Sequence, residues 1–183
     1  MIKILVAALF VLNIFLTCPA QTRESVCLEQ QPAADASDPV VLNICNHTHG
    51  MAATPQPRLY FRLHQSGLVE YEVNPGYREG AGDANFVLLK KKIKVRAEDV
   101  AEVIRLCEQQ DFQGARNEYP AFQIWTDSSL QTTIVFTHNG REKKIVVNNY
   151  SETDQRNSSY YPASLIALLK KIEELRKSML EYN

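Results

Sequence analysis

Apolar and polar residues alternate through Leu59-Tyr60-Phe61-Arg62-Leu63-His64 and again through Val69-Glu70-Tyr71-Glu72-Val73. A period of two marks half-buried strands. The connection between the strands decides how they pair. A two-residue turn at Ser66-Gly67 sets Leu63 against Glu70 and mixes the faces. A three-residue loop, Gln65-Ser66-Gly67, sets Leu63 opposite Val69 and Phe61 opposite Tyr71, so one common face is buried. It also puts Gly67 at a left-handed turn position, where glycine is least strained. A third strand is expected from Phe86 to Val95. Val87, Leu89, Ile93 and Val95 share one of its faces; Lys90, Lys92, Lys94 and Arg96 share the other.

The period then changes. Val100, Val103, Ile104 and Cys107 fall at helical spacing and predict a helix from Ala97 to Gln110, with Glu98 and Asp99 at its positive end. Phe122–Trp125 is a short strand candidate. Leu130 to Val147 reads as a hairpin around Asn139-Gly140, the favoured pair for a tight turn, with His138 opposite Arg141, Ile134 opposite Ile145 and Thr132 opposite Val147. Pro162 suits the first turn of a closing helix whose stripe is Leu165, Leu168, Leu169, Ile172, Leu175 and Met179. The expected fold is α+β in the order βββαβββα: a mostly antiparallel, twisted sheet with two helices packed on one face.

The N-terminus changes the picture of where this fold works. Lys3, the apolar run from Ile4 to Leu16 and the small residues Cys18 and Ala20 have the order of a secretory signal peptide. The run is short for a membrane span, which needs about 20 residues. Cleavage after Ala20 is the expectation, giving a secreted or periplasmic protein with no remaining span. Lipidation at Cys18 is the less favoured alternative, because Thr17 is bulky for the position before a lipidated cysteine. Residues 21–57 read as an N-terminal arm and linker, in which Val40-Val41-Leu42 is a possible short strand. Residues 58–183 read as one domain. An oxidising compartment permits a Cys27–Cys45 disulfide, worth about 3 kcal/mol in the chain-entropy model. Cys107, on a helix's apolar face, is expected to be a buried thiol.

Candidate chemistry is sparse. A formal net charge of −1 gives no reason to expect nucleic-acid binding. Cys45, His47 and His49 form the only cluster of metal-type ligands, a candidate zinc or copper site that lacks a fourth ligand and is lost if Cys45 is in a disulfide. Lys90, Lys92, Lys94 and Arg96 could contact an anionic surface, or could protect an edge strand from pairing. Asp111 and Asp127 are a conceivable hydrolytic carboxylate pair, with no motif to bring them together. No cofactor motif is present. Three sequons, at Asn46, Asn149 and Asn157, hint at exposed loops.

Tyr60-Phe61, Gly67-Leu68-Val69-Glu70-Tyr71-Glu72, Asp111-Phe112, Tyr119, Asp127, Thr132-Thr133-Ile134 and Pro162 before the last helix make a loose pattern over Leu59 to Leu175. It resembles a family of small secreted bacterial domains of unknown function. Members often carry a Cys-Pro-x-Tyr element entering the first strand, where this chain reads Pro57-Arg58-Leu59-Tyr60. The resemblance implies a strand pair, helix, strand pair and closing helix. It implies no activity, so no functional residue is carried over.

The functional expectation is an exported, non-enzymatic domain that binds a protein or cell-envelope component through a sheet edge or loops. The candidate contact loops are 75–85 and 148–161. The alternatives are the carboxylate hydrolase and the metal module.

Overall fold

The computed structural model describes residues 37–50, 57–73, 89–122 and 128–181. The expected leader, Cys18, Cys27, loop 75–85, the start of the third strand and Asp127 lie outside the described residues. A seven-stranded sheet runs in the spatial order β4-β3-β2-β1-β6-β7-β5. Its strands are β1 (Val40–Gly50), β2 (Arg58–His64), β3 (Leu68–Val73), β4 (Leu89–Lys94), β5 (Glu118–Tyr119), β6 (Ser128–His138) and β7 (Arg141–Asn148). The helices are α1 (Ala97–Glu108), α2 (Gln110–Gln113), α3 (Asn157–Tyr160) and α4 (Ala163–Glu181). The protein is α+β. The sheet is mixed, because β5 pairs with β7 in parallel while the other pairings are antiparallel.

The order differs from the expected one in a first strand, in the two short helices α2 and α3, and in the strand after α1. The stretch assigned to an arm supplies β1, the central strand of the sheet, so the sheet extends N-terminal to the expected start at Arg58. Its polar residues hid it: Asn43 is 4 % exposed but spends its side-chain oxygen on Arg62 Nε, 3.3 Å away. The strand after α1 is the two-residue β5 rather than Phe122–Trp125. Phe122 lies in a bend, and 123–125 fall outside the described residues.

Turn chemistry sets the two hairpins. Leu63 pairs with Val69 across Gly67, which has φ +88°. Asn139 (φ 50°) and Gly140 (φ 73°) close β6 onto β7 with His138 opposite Arg141, Ile134 opposite Ile145 and Thr132 opposite Val147.

One apolar cluster joins sheet to helices. Leu42, Ile44, Phe61, Leu63, Ile134, Phe136, Ile145 and Val147 meet Val103 and Cys107 of α1 and Leu165, Leu168 and Ile172 of α4. The α1 stripe buries Leu106 as well, while Ile104 is only half-buried. The helix stops at Glu108, and Gln113 Nε2 donates to the Cys107 carbonyl at 2.7 Å. Asp99 ties the two long helices together by accepting from Lys171 Nζ at 2.7 Å, and it also accepts from Arg96 Nε at 3.1 Å. The Arg96 hydrogen bond, with Lys171 beside it, outweighs partial burial and lowers the Asp99 pKa.

Candidate functional site

Tyr60 is where the period-two pattern fails. Ile44 pairs with Phe61 and Cys45 pairs with Leu59, so Tyr60 is an extra residue in β2. A bulge of this kind re-aims a side chain and takes a residue out of the ladder. Both consequences are visible. Strict alternation would put Tyr60 on the face of Arg62 and His64; instead its hydroxyl donates to Glu173 on α4. Arg176 on the same helix donates to the Tyr60 backbone carbonyl and lays its guanidinium over the ring, 4.0 Å from the centroid. Burial, with Glu173 alongside, raises the Tyr60 pKa, so the phenol stays a proton donor.

Two cavities open beside this contact. The first, about 320 Å³, is lined by Ile44 and Asn46 of β1, Tyr60, Leu130 and Thr132 of β6, Leu169, Lys170, Ile172 and Glu173 of α4, and Tyr150 and Glu152 beyond β7. The second, about 390 Å³, runs past Thr48, Arg58, Leu59, Glu72, Val73, Arg176 and Leu180. They share Asn46, Tyr60 and Leu130 and so form one cleft. Ligand cavities of small molecules begin at about 300 Å³.

Solvent-open leucines line the cleft, and one of its lining residues holds an unpaired buried acceptor. Leu130 (38 % exposed) and Leu180 (51 %) are two of the three large apolar residues left open to solvent among those described. Asn46 Oδ1 is buried without a hydrogen-bond partner among the described residues. A buried acceptor left unpaired costs about 1–3 kcal/mol.

The residues singled out in the sequence are distributed differently. Cys45, His47 and His49 alternate along β1 and so share one strand face, with the two imidazole centroids 4.0 Å apart. Cys45 is disulfide-bonded. No group of three or more His, Cys, Asp or Glu side chains among the described residues is placed to hold a metal ion. Lys90, Lys92 and Lys94 lie exposed on β4, an edge strand. Lys92 pairs with Glu70 at 2.6 Å, and Arg96 leaves the ridge to turn onto Asp99.

Asp111 carries a structural duty. Its Oδ2 accepts from the Ser164 backbone N–H at 3.1 Å and so caps the start of α4. Cys107 is a free thiol, wholly buried, and burial pushes its pKa up, away from nucleophilic chemistry. The sequons are not free loops. Asn46 is mid-strand, Asn149 Oδ1 accepts from Leu130 N at 2.7 Å, and Asn157 is buried with its amide donating to the Ser151 carbonyl at 2.8 Å.

Sequence reasoning missed Asn46, Tyr60, Glu173 and Arg176 as a group. One signal was present. Leu180 on α4 lies beyond the stripe of Leu165, Leu168, Leu169, Ile172, Leu175 and Met179 and is 51 % exposed, so the helix is apolar over a wider arc than its core contact needs.

Fold and cleft together define an α+β protein whose closing helix overhangs one end of a sheet and leaves an amphipathic cleft there. No protein-family model matches the chain, and no curated protein matches it either. No described helix is long and apolar enough to cross a membrane.

Proposed function

We propose that the protein is an exported binding module, not an enzyme, and that the Asn46–Tyr60–Leu130 cleft is its ligand site. The leader-like residues 1–20 and the resemblance to small secreted domains support export. With Cys107 free, Cys27 is the natural partner for Cys45, the other candidate being Cys18 within the leader. The observation that carries the binding reading is the cleft itself, with the exposed Leu130 and Leu180 among its lining residues. A ligand seated in the cleft covers such leucines.

The polar groups of the cleft argue for binding over catalysis. The Tyr60 hydroxyl and the Arg176 guanidinium donate within the protein, and the high pKa of Tyr60 keeps it from acting as a base near neutral pH. The test is amide chemical-shift mapping of the purified protein against a panel of amphipathic small molecules. Shifts concentrated at Asn46, Tyr60, Thr132 and Glu173 are expected. Shifts scattered over the surface, or confined to the β4 lysines, would overturn the assignment.

A further inference from the structure

The cleft lies on the helix side of the sheet. The other side carries a second set of buried residues. Ile44, Ile134 and Ile145 pair across β1, β6 and β7 and belong to the core cluster. Val103 of α1, Phe112 of α2 and Leu165 of α4 belong to it too, and Tyr160 of α3 rests against it. One position along, alternation turns the side chains to the opposite face. The row there is Leu59–Cys45–Thr133–Val146, and a second row beside it is Arg62–Asn43–Val135–Lys144. Leu59, Cys45, Val135 and Val146 are each at most 9 % exposed, yet none belongs to the core cluster. Asn43 and Arg62 are buried among them. An antiparallel sheet that turns one face to water carries polar residues there. Four buried apolar side chains across four strands mark a covered face, and among the described residues no helix lies on it.

Cys45 points to what the cover is. It stands in the middle of this face and is disulfide-bonded, while Cys107 is a free thiol in the core on the other side. The Cα atoms of a disulfide lie about 4.4–6.8 Å apart, so the chain that carries the partner sulfur is seated on the face. Cys27 belongs to the segment 21–36, which leads into β1. The dozen or so residues from Cys27 to Val40 can reach about 40 Å, against about 17 Å from Val40 along β1 to Cys45. Val26 and Leu28 flank Cys27 and are the apolar residues of an otherwise polar stretch from Gln21 to Gln31.

We propose that residues 21–36 are the second cover of the sheet, seated on Leu59, Val135 and Val146 and held there by a Cys27–Cys45 disulfide. This arm is separate from the cleft, which lies on the helix side. It completes three layers, helices, sheet and arm, and the outer layer is locked only where disulfides form. Forming the bond takes two protons and two electrons from the Cys27 and Cys45 thiols. A disulfide-bearing oxidant of the compartment accepts them and becomes a dithiol. In the reduced chain the arm is untethered, and the face opens as an apolar patch.

The experiment uses the full chain. Non-reducing peptide mapping is expected to find Cys27 joined to Cys45. Nuclear Overhauser contacts are expected between the Val26 or Leu28 methyls and those of Val135 and Val146. A soluble gadolinium chelate should relax the Leu59, Val135 and Val146 methyls about fivefold less than those of Leu180, which is 51 % exposed. Reduction, or Cys27→Ser, should raise that relaxation roughly twofold or more while the Ile134 and Ile145 signals stay in place. Leu28→Asp should do the same with the disulfide intact. A Cys18–Cys45 bond, a Cys27–Cys45 bond between two copies, Overhauser contacts from Val135 and Val146 to another segment, or relaxation unmoved by reduction and by Leu28→Asp overturns the assignment of the arm. Relaxation of these methyls equal to that of Leu180 in the oxidised chain overturns the cover itself.

Discussion

Asn43 and Asn46 sit on the same strand, three residues apart and on opposite faces, and they predict opposite mutational outcomes. Asn46 Oδ1 is buried and unpaired beside a cavity of about 320 Å³. Replacing Asn46 with Leu removes the unpaired acceptor, a relief of about 1–3 kcal/mol. The adjoining cavity has room for the added bulk, so little is lost to overpacking. The expected net effect is a stabilisation of about 1–2 kcal/mol, or a rise in Tm of about 2–8 °C for a domain of this size. Asn43 accepts from Arg62 Nε at 3.3 Å, and the Arg62 side chain is only 6 % exposed. Leu there strips a partner from a buried guanidinium that also meets Glu70 Oε2 at 3.4 Å. Hydrogen bonds to charged groups contribute about 1.5–3 kcal/mol, so Asn43→Leu should cost about that much. Urea unfolding followed by far-UV circular dichroism measures both, with an unchanged m-value as the check on two-state behaviour. The same Asn46→Leu variant should lose affinity for cleft ligands. If Asn46→Leu destabilised the protein as much as Asn43→Leu, the Asn46 amide would be a structural group and the argument from its unpaired oxygen would fall.

Gly67→Ala and Gly140→Ala test the two hairpins. Both glycines have positive φ, which costs an alanine about 1–2 kcal/mol. A Cβ on Gly67 would also meet the Val95 carbonyl oxygen at 3.0 Å, whereas one on Gly140 meets nothing within 4 Å. Gly67→Ala should therefore be the worse by about 1–3 kcal/mol in urea melts, and equal midpoints would refute the contact argument. Acid should unfold the protein through Asp38 and Asp99, whose pKa values are lowered, the first chiefly by the Ser66 hydroxyl and the second by Arg96. A depressed folded pKa means a contribution present above the ordinary carboxylate pKa and lost as pH falls through the folded value. Stability should then hold from pH 7 to about 5 and decline below about 4. Asp99→Asn should cost about 1–2 kcal/mol at pH 7 and nothing near pH 2, a difference that thermal melts across the pH range would detect.

How much of this was legible in the sequence follows from what kind of signal each feature leaves. The hairpins were legible because turn residues are local. Gln65-Ser66-Gly67 and Asn139-Gly140 admit few backbone shapes, and each shape fixes a register. The α4 stripe was legible because Leu165, Leu168, Ile172, Leu175 and Met179 repeat at helical spacing. β1 was legible only at its start, Val40-Val41-Leu42, because a central strand is expected to read as a continuous apolar run, and Asn43, Asn46, His47 and His49 break it. Asn43 is tolerated there only through Arg62, which a one-dimensional reading cannot supply. The bulge at Tyr60 left no trace either. Nothing in Leu59-Tyr60-Phe61 differs from ordinary alternation, and the extra residue shows only in the pairing with Ile44 and Cys45.

The cleft was illegible for a deeper reason, which is also why it exists. β1 and β6 outlast their neighbours. The pairing of β1 with β2 ends at Asn46–Arg58, and that of β6 with β7 ends at Gln131–Asn148, yet β1 and β6 remain paired to Gly50–Ser128. Among the described residues the sheet thus narrows to a two-stranded ribbon. α4, 19 residues and about 28 Å long, continues over the narrowing far enough for Leu180 to line the second cavity. A helix that spans a full sheet buries its flanks against it; over a ribbon it has strand beneath it and space on either side. One cavity therefore carries Tyr150 and Glu152 from beyond β7, and the other carries Arg58 and Glu72 from β2 and β3, with Asn46 and Leu130 of the ribbon between them. Asn46 stands at the ribbon's root, where the ladder satisfies the backbone but no strand or helix supplies a partner for the amide oxygen. The site is a mismatch of lengths between two strands, their neighbours and a helix, closed by a contact between Tyr60 and Glu173 that are 113 positions apart. Such a mismatch has no motif, which is why the residues with the strongest individual signals, Cys45, His47, His49 and the β4 lysines, lie outside it.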